Sequence, residues 1–312
     1  MAAAPRVSVV MIFLNAERFL RQAVDSVRQQ SFRDWELLLV DDGSSDASGR
    51  IAGEYVTADP GRIRYLQHEG GSNRGMSASR NLGVAHARGE WVALLDADDE
   101  WRPEHLALLL DEARQHPRAE VIYGPALVWH SWDPATSERD SVQDIARNEL
   151  SAAGTRPAVA CVYLRHTGAV PCTGATIVRR ETYARLGGFE SAFAGMCEDQ
   201  VFAFKVALDA NVTVTPHITL LYRRHDQSCC AVSFKQKSDV QARITFLKWA
   251  RRYAAARAPE TADVLALIGD QLWHARRSVG LLRLVDRAVR RVAPSSALNW
   301  IRGRRAPIRG VR

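Results

Sequence analysis

The chain has 312 residues, of which 46% are hydrophobic and 25% are charged. These proportions are near the average for globular proteins, which excludes wholesale disorder and allows one large domain with or without an appendage. The formal net charge is +7, but eight arginines and no acid follow Asp286, so the basic balance belongs to the C-terminal tail and no nucleic-acid partner is expected.

The chain begins with two strand predictions that each lead into a turn and a helix. Val7–Phe13 is an almost continuous apolar run, which is typical of a central parallel strand, and Asn15 is predicted to cap the helix that follows. Trp35–Val40 predicts the next strand. It ends in Asp41 and Asp42, so acids lie at the carboxyl end of this strand.

Four strand-like runs occur within the first hundred residues, each followed by a loop or a helix. Ile63–Leu66 is the third run, and it precedes a Gly-rich loop at His68–Gly75 and a predicted helix at Ser77–Ala87. Alternation of this kind predicts a doubly wound α/β half. The glycine spacing matches neither a Walker loop nor a dinucleotide fingerprint.

The fourth run, Val92–Leu95, ends abruptly in Asp96, Asp98 and Asp99. In open α/β sheets, ligands bind beyond the carboxyl ends of the strands. Three like charges are unfavourable there unless a cation intervenes. The alternative, that one acid caps the next helix, explains one carboxylate and not three. The cluster therefore indicates a metal or phosphate role.

The second part of the chain is less regular. Gly124 to about Pro157 gives only a weak pattern, with a strand and turn near Trp129 and Trp132. The remaining predictions are helices at His105–Ala113, Glu181–Leu186, from Glu198 and at Phe246–Leu284, and strands at Glu120–Tyr123, Cys172–Arg179 and Val212–Tyr222.

Three acidic groups stand in this order along the chain: Asp41/Asp42, Asp96/Asp98/Asp99 and Glu198/Asp199. With VSVVMIFLN, GSNRGMSASRNLGVAHARGEWVALLDADDEW and TGATIVRRETYARLGGFE, they make the stretch from Val7 to His225 resemble the family-2 glycosyltransferases. An ordered set of motifs is more specific than one short motif.

The resemblance implies an α/β GT-A fold, with a Rossmann-like mixed central sheet flanked by helices. One glycosyltransferase domain at residues 1–235 would comprise a nucleotide-binding half, 1–123, and an acceptor-binding half, 124–235. Residues 236–312 would form a helical C-terminal extension with a basic tail.

The resemblance also implies a set of donor-binding residues. Those after the first two strands would hold the nucleobase and ribose, those in the SASRNLG segment would approach the diphosphate, and those at the DxD motif would contact the sugar or ribose. The alternatives are that the first acids cap a turn and that the arginine only pairs with an acid. The residues are Phe13, Asn15, Asp41, Asp42, Arg80, Asn81, Asp96 and Ala97.

The same resemblance assigns metal and catalytic roles. Asp98 would bind Mn²⁺ or Mg²⁺, with His225 as a further metal or phosphate contact, although a histidine at a strand end is often structural. Asp199 would be the general base, and Glu198 would bind or orient the acceptor. The alternative for this pair is two acids that favour the amino end of a helix.

The implied activity is inverting transfer of a sugar from a nucleoside-diphosphate sugar, expected to be a UDP-sugar, to an acceptor hydroxyl. The acceptor would be a glycan, a lipid-linked molecule or a small molecule in glycan, cell-surface polysaccharide or glycoconjugate biosynthesis. Without a QxxRW motif, single transfer is favoured over processive synthesis. The alternative is a non-catalytic nucleotide-sugar or glycan-binding module. A phosphotransfer domain is disfavoured because the first lysine is Lys205, and a pyrophosphorylase because its Gly-rich start is missing.

Location is predicted from four features. No run of about 18 apolar residues occurs, so a transmembrane helix is not expected, and the apolar start continues into the first strand, which argues against a signal peptide. Five cysteines without CxxC spacing favour a reducing cytoplasm. The arginine-rich tail is expected to contact anionic lipid at the inner face of a membrane.

Overall fold

The protein is described from a computed structural model that covers residues 4–153, 156–166, 170–193, 197–228 and 239–292. Its first half alternates strands and helices. The apolar runs form strands, and β1 and β2 are buried at every position, as expected for parallel strands covered on both faces. The elements are β1 (Val7–Phe13), α1 (Leu20–Arg28), β2 (Trp35–Asp41), α2 (Ser48–Ala58), β3 (Ile63–Gln67), α3 (Met76–Ala85) and β4 (Trp91–Asp96).

The second half contains shorter strands and more helices than the first. Its last two helices carry the predicted helical pattern of Phe246–Leu284, divided near Pro259. The elements are β5 (Glu100–Trp101), α4 (His105–Gln115), β6 (Val121–Tyr123), β7 (Ala126–Trp129), β8 (Ser141–Val142), α5 (Arg147–Ala153), α6 (Ala158–Arg165), β9 (Thr176–Arg179), α7 (Arg180–Arg185), α8 (Glu198–Asp209), β10 (Val212–Val214), β11 (Leu220–Arg223), α9 (Asp239–Ala255) and α10 (Ala262–Val292).

Among the described residues, a seven-stranded sheet has the order β10-β6-β9-β4-β1-β2-β3. Every neighbouring pair is parallel except those of β9, which runs antiparallel to both β4 and β6. The register places Phe13 beside Asp41, and Ile12 beside Asp96. The acids predicted at strand ends therefore meet along one edge of the sheet.

A second sheet has four strands in the order β5-β11-β7-β8. Its strand β5 comes directly after the acidic turn, and Leu220 of β11 pairs with Trp101 of β5. Because β11 ends at Arg223, the pairing brings the segment around His225 back to the turn that holds Asp98.

The C-terminal helices share a hydrophobic core with α8. Leu247 and Ala250 of α9 and Ile268 of α10 are fully buried in the same cluster as Val201 and Phe204 of α8. The backbone of α10 is described to Val292, and the basic tail predicted beyond it lies outside the described residues. None of the helices in the described part of the chain is both long and apolar enough to span a membrane.

Candidate active site

Asp41 ends β2, and its carboxylate stabilises the turn that follows. Its Oδ1 accepts hydrogen bonds from the backbone N–H groups of Gly43, at 3.1 Å, and Ser44, at 2.7 Å. The hydroxyl of Tyr65 donates to its Oδ2 at 2.7 Å. These contacts agree with the turn-capping alternative for Asp41.

Asp42 ties the Gly-rich loop to the start of α3. Its carboxylate accepts from the backbone N–H of Arg74 at 2.7 Å and from that of Gly75 at 3.0 Å, and His68 Nε2 lies 3.7 Å from its Oδ1. Gly43 packs against the same loop, at φ +90°, where a Cβ would lie 2.8 Å from the carbonyl oxygen of Gly71. Asp42 is thus buried beneath this loop.

The turn after β1 meets the turn after β2. Asn15 accepts from the backbone N–H of Ser45 at 2.8 Å, and its own N–H donates to Ser44 Oγ at 3.0 Å. The prediction that Asn15 caps α1 is wrong, because the helix begins at Leu20 and the side chain of Asn15 is hydrogen-bonded to the other turn. The ring of Phe13 is buried in the core.

Arg80, on α3, connects the two halves of the candidate site. It donates from Nη2 to Asp96 Oδ1 at 2.7 Å and from Nη1 to Glu198 Oε1 at 3.4 Å. Its guanidinium lies 5.0 Å from the ring centre of Phe189. Burial lowers the pKa of Arg80, but the charges of Asp96 and Glu198 more than reverse this effect and raise it overall. Arg80 therefore remains a cation between two carboxylates.

Asn81 holds α3 against the turn that follows α7. Its Nδ2 donates to the carbonyl oxygen of Phe189 at 2.8 Å, and its Oδ1 accepts from the N–H of Phe189 at 2.9 Å and from the hydroxyl of Tyr183 at 2.7 Å. Both ends of the amide are used in protein contacts. They fix the helix that presents Arg80.

The three acids after β4 have separate partners. Asp96 pairs with Arg80, and Asp98 Oδ2 lies 2.9 Å from His225 Nε2. Asp99 is turned inward, where its Oδ1 accepts from the backbone N–H of Arg223 at 2.8 Å. Burial, followed by the charges of Asp98 and Asp96, raises the pKa of Asp99 well above its ordinary value. Two of the three carboxylates are thus left at the surface of the site.

The residues after β4 fit a divalent cation. The side chains of Asp96 and Asp98 remain 32% and 33% exposed, and carboxylate oxygens are ligands that Mn²⁺ and Mg²⁺ prefer. His225 Nδ1 is buried with no hydrogen-bond partner among the described residues, and Ala97 is buried between the acids. Among the described residues, no group of three or more His, Cys, Asp or Glu side chains could hold a metal. Donor phosphates would have to supply the remaining ligands.

Glu198 and Asp199 open α8. Asp199 Oδ1 accepts from the backbone N–H of Gln200 at 2.7 Å. Burial, and then the charge of Asp199, raise the pKa of Glu198 to about 7, and burial raises the pKa of Asp199. A carboxylate with a raised pKa is a stronger base near neutral pH. Asp199 also lines a small cavity together with Leu94, Pro171, Thr173 and Phe189.

Two contributors to this geometry were not assigned a role from the sequence. Tyr183 and Arg223 support Asn81 and Asp98 through hydrogen bonds. Arg223 stands two residues before His225, so its place in YRRHDQS was the available signal. Its partners lie more than a hundred positions earlier in the chain, which no local pattern reveals.

Comparison with known proteins places this arrangement in a family. Residues 8–158 match the model of glycosyl transferase family 2. That stretch, just under half of the chain, belongs to this family. The protein named as glycosyltransferase EpsE in Bacillus subtilis is 30% identical over 193 residues, which span 61% of this chain and 62% of EpsE. The chain thus spans about three-fifths of the length of this relative, and the suspected family is confirmed over residues 8–158.

Two solved structures share the fold of this chain. Residues 1–349 of TarS from S. aureus, in complex with UDP-GlcNAc, superpose with a TM-score of 0.57 and 18% identity, covering 78% of this chain and 65% of that one. The mannosyltransferase PcManGT from Pyrobaculum calidifontis, with GDP-Man and Mn²⁺, gives a TM-score of 0.59 at 17% identity, covering 96% and 79%. These likenesses concern the fold, and the predicted GT-A architecture is confirmed.

Proposed function

We propose that this chain transfers a sugar, with inversion, from a nucleoside-diphosphate sugar to an acceptor hydroxyl. The observation that carries the proposal is the position of Arg80. Its guanidinium joins Asp96, at the end of the predicted donor site, to Glu198, at the start of the predicted catalytic helix. Asp96 and Glu198, which are more than a hundred residues apart in the chain, thus both contact the Arg80 guanidinium.

The donor is proposed to be a UDP-sugar. Of the two structural neighbours, TarS binds UDP-GlcNAc and PcManGT binds GDP-Man, so the fold accommodates both bases. A carboxylate such as that of Asp42 can accept from an imide N–H or from ribose hydroxyls. Phe13, Asn15 and Asp41 stay predicted contacts of the base and ribose, and Asn81 and Ala97 stay predicted contacts of the donor.

Asp199 is proposed to remove the proton of the acceptor hydroxyl. The acceptor oxygen forms a bond to the anomeric carbon as the bond from that carbon to the diphosphate breaks, and the nucleoside diphosphate leaves. Glu198 would orient the acceptor, and Arg80 would offset negative charge on the diphosphate. Mn²⁺ or Mg²⁺, held by Asp98 with His225, would stabilise the charge of the leaving group.

The test is sugar transfer and donor hydrolysis by the full chain, with a panel of UDP-sugars and Mn²⁺, for wild type and Asp199→Asn. We expect UDP binding to persist in the variant while turnover falls by about 10²–10⁴-fold. Asp270→Asn, an exposed acid on α10, is the matched control and should behave as wild type.

Two results would contradict the proposal in different ways. Equal turnover of wild type and Asp199→Asn would exclude Asp199 as the base. Binding of UDP without any turnover by wild type would instead support a non-catalytic module. Loss of transfer on addition of EDTA, restored by Mn²⁺, is expected if the cation is required.

The proposed acceptor is a glycan, a lipid-linked molecule or a small molecule, used in single transfers.

The proposed location is the cytoplasm, with the arginine tail on anionic lipid, since basic residues gain about 1 kcal/mol each near such surfaces. Full-length protein should co-sediment with anionic vesicles, and replacing Arg302, Arg304, Arg305 and Arg309 by glutamine should weaken this binding. Equal binding would exclude the tail as an anchor.

A further inference from the structure

Arg223 lies at the end of β11 and reaches back to the acidic turn with three groups. Its backbone N–H donates to Asp99 Oδ1 at 2.8 Å, and its Nε donates to the backbone carbonyl of Asp98 at 2.7 Å. Its Nη2 donates to a carboxylate oxygen of Glu100. One residue therefore fixes three consecutive positions that follow Ala97.

The guanidinium of Arg223 is enclosed by aromatic rings. It lies 4.7 Å from the ring centre of Phe19, 4.6 Å from that of Trp129 and 5.1 Å from that of Trp132. The Arg223 side chain is only 2% exposed. Stacking on aromatic faces suits a planar guanidinium and restricts its orientation.

The same enclosure extends to His225. The ring centre of Phe19 is 5.0 Å from that of the His225 imidazole, and Trp132 packs edge-on against Phe19 at 5.4 Å. Trp132 Nε1 also donates to the carbonyl oxygen of Arg224 at 2.8 Å. The segment from Arg223 to His225 is thus held from both sides.

We propose that Arg223 is a positioning residue for the cation site of Asp98 and His225. The inference rests on the proposed function, and it deepens the account of that site. Arg223 holds the backbone of Asp98, so the carboxylate faces the His225 ring rather than turning away. Residues that orient metal ligands typically change metal affinity by about 10–100-fold when they are substituted.

Lysine cannot replace arginine in this role. The Arg223 guanidinium uses Nε for the carbonyl of Asp98 and Nη2 for the carboxylate of Glu100, which requires two donors in a fixed plane. A lysine ammonium keeps the charge but has no such fork, and it stacks less well on Phe19 and Trp129. Arg223→Lys therefore removes the orientation and preserves the charge.

The experiment measures Mn²⁺ affinity of the full chain with saturating UDP, by isothermal titration calorimetry. We expect Arg223→Lys to weaken it by about 10–100-fold, while UDP affinity without metal and the cooperative unfolding transition are kept. Arg224→Lys is the matched control, since Arg224 is the next residue and is only half-buried. It should leave Mn²⁺ affinity unchanged.

Equal Mn²⁺ affinities for Arg223→Lys and Arg224→Lys would overturn the inference, as would a parallel loss of metal-free UDP binding, which indicates general damage. If Arg223→Lys does not unfold cooperatively, Glu100→Gln is used in its place. A loss of Mn²⁺ affinity smaller than that expected for Arg223→Lys would then support the inference, and no loss would refute it. Wild type that binds UDP and transfers sugar without saturable Mn²⁺ binding would overturn this inference and leave the transfer proposal intact.

Discussion

At the scale of single residues, the acids of the site are held by protein partners. Arg80 partners Asp96 and Glu198, and His225 partners Asp98. The like-charge crowding predicted for the acidic turn is thus reduced by protein groups before any cation binds. A cation held by Asp98 and His225 would replace the direct contact between these two side chains, so metal affinity should depend on both residues.

Gly188 illustrates how tightly α3 is fitted to the turn after α7. Its φ is +61°, and a Cβ there would lie 2.4 Å from Asn81 Oδ1 and 2.8 Å from the Tyr183 ring. We expect Gly188→Ala to lower the free energy of unfolding by about 1–3 kcal/mol through strain and displacement of Asn81. Urea unfolding measures the loss.

Gly187→Ala is the control for that experiment. Gly187 has a similar φ of +73°, but a Cβ there would meet nothing within 4 Å. Both variants carry the cost of a left-handed backbone, so only Gly188→Ala should carry the added clash. Equal losses for the two variants would contradict the role assigned to the Asn81 contact.

Glu198 should make stability depend on pH. Its pKa in the folded chain is about 7, above the ordinary value of 4.5, so the native state holds the proton more tightly. The stability that this proton contributes is complete below the ordinary pKa and is lost as pH rises through about 7. Wild type should therefore lose stability relative to Glu198→Gln between about pH 5 and about pH 8. Thermal unfolding of both proteins across this pH range measures the difference in their stability. A difference that does not change with pH would refute the prediction.

At the scale of elements, the hydrophobic pattern predicted the parallel strands well. β1, β2 and β4 are almost continuous apolar runs, interrupted by Ser8 and Glu36, because both faces of each are buried. The reversed direction of β9 could not be predicted, since a side-chain pattern reads the same in either direction. The helix α6 was missed because its residues 159–164 are all buried, which removes the period of an amphipathic helix.

The sequence predicts which residues belong to the site, but it does not predict their hydrogen-bond partners. Asp41 and Asn81 stay predicted donor contacts, and their observed hydrogen bonds to a turn and to Phe189 were not predicted. Such partners come from other parts of the chain, and sequence spacing does not specify them. Arg223 was missed for the same reason.

The C-terminal helices are predicted to unfold together with the rest of the chain. Leu247 is fully buried against α8, and Leu→Ala changes in such positions cost about 2–5 kcal/mol. Leu247→Ala should therefore lower the midpoint of a single unfolding transition, whereas Lys248→Ala, exposed on the same helix, should not. Separate melting of α9 and α10, without effect on the main transition, would show an independent extension.

At the scale of the whole molecule, the binding of donor should stabilise the fold. Asp42 follows β2 and is hydrogen-bonded to the Gly-rich loop just before α3, so a ligand at the proposed donor site binds the native state alone. At about 100 times Kd, binding adds about 2.7 kcal/mol. UDP with Mn²⁺ should raise Tm by several degrees, and Asp42→Asn should reduce the rise. No shift with any nucleoside diphosphate would argue against the donor site.

The reversed β9 determines which residues lie next to Asp199. Because β9 runs opposite to β4, the chain enters it at the edge where β4 ends, and Pro171 and Thr173 of this entry line the cavity beside Asp199. The stretch between β8 and β9 is thus anchored at both ends by paired strands. If the acceptor binds beside Asp199 as proposed, substitutions where this stretch enters β9 would change the choice of acceptor and leave the donor residues in place.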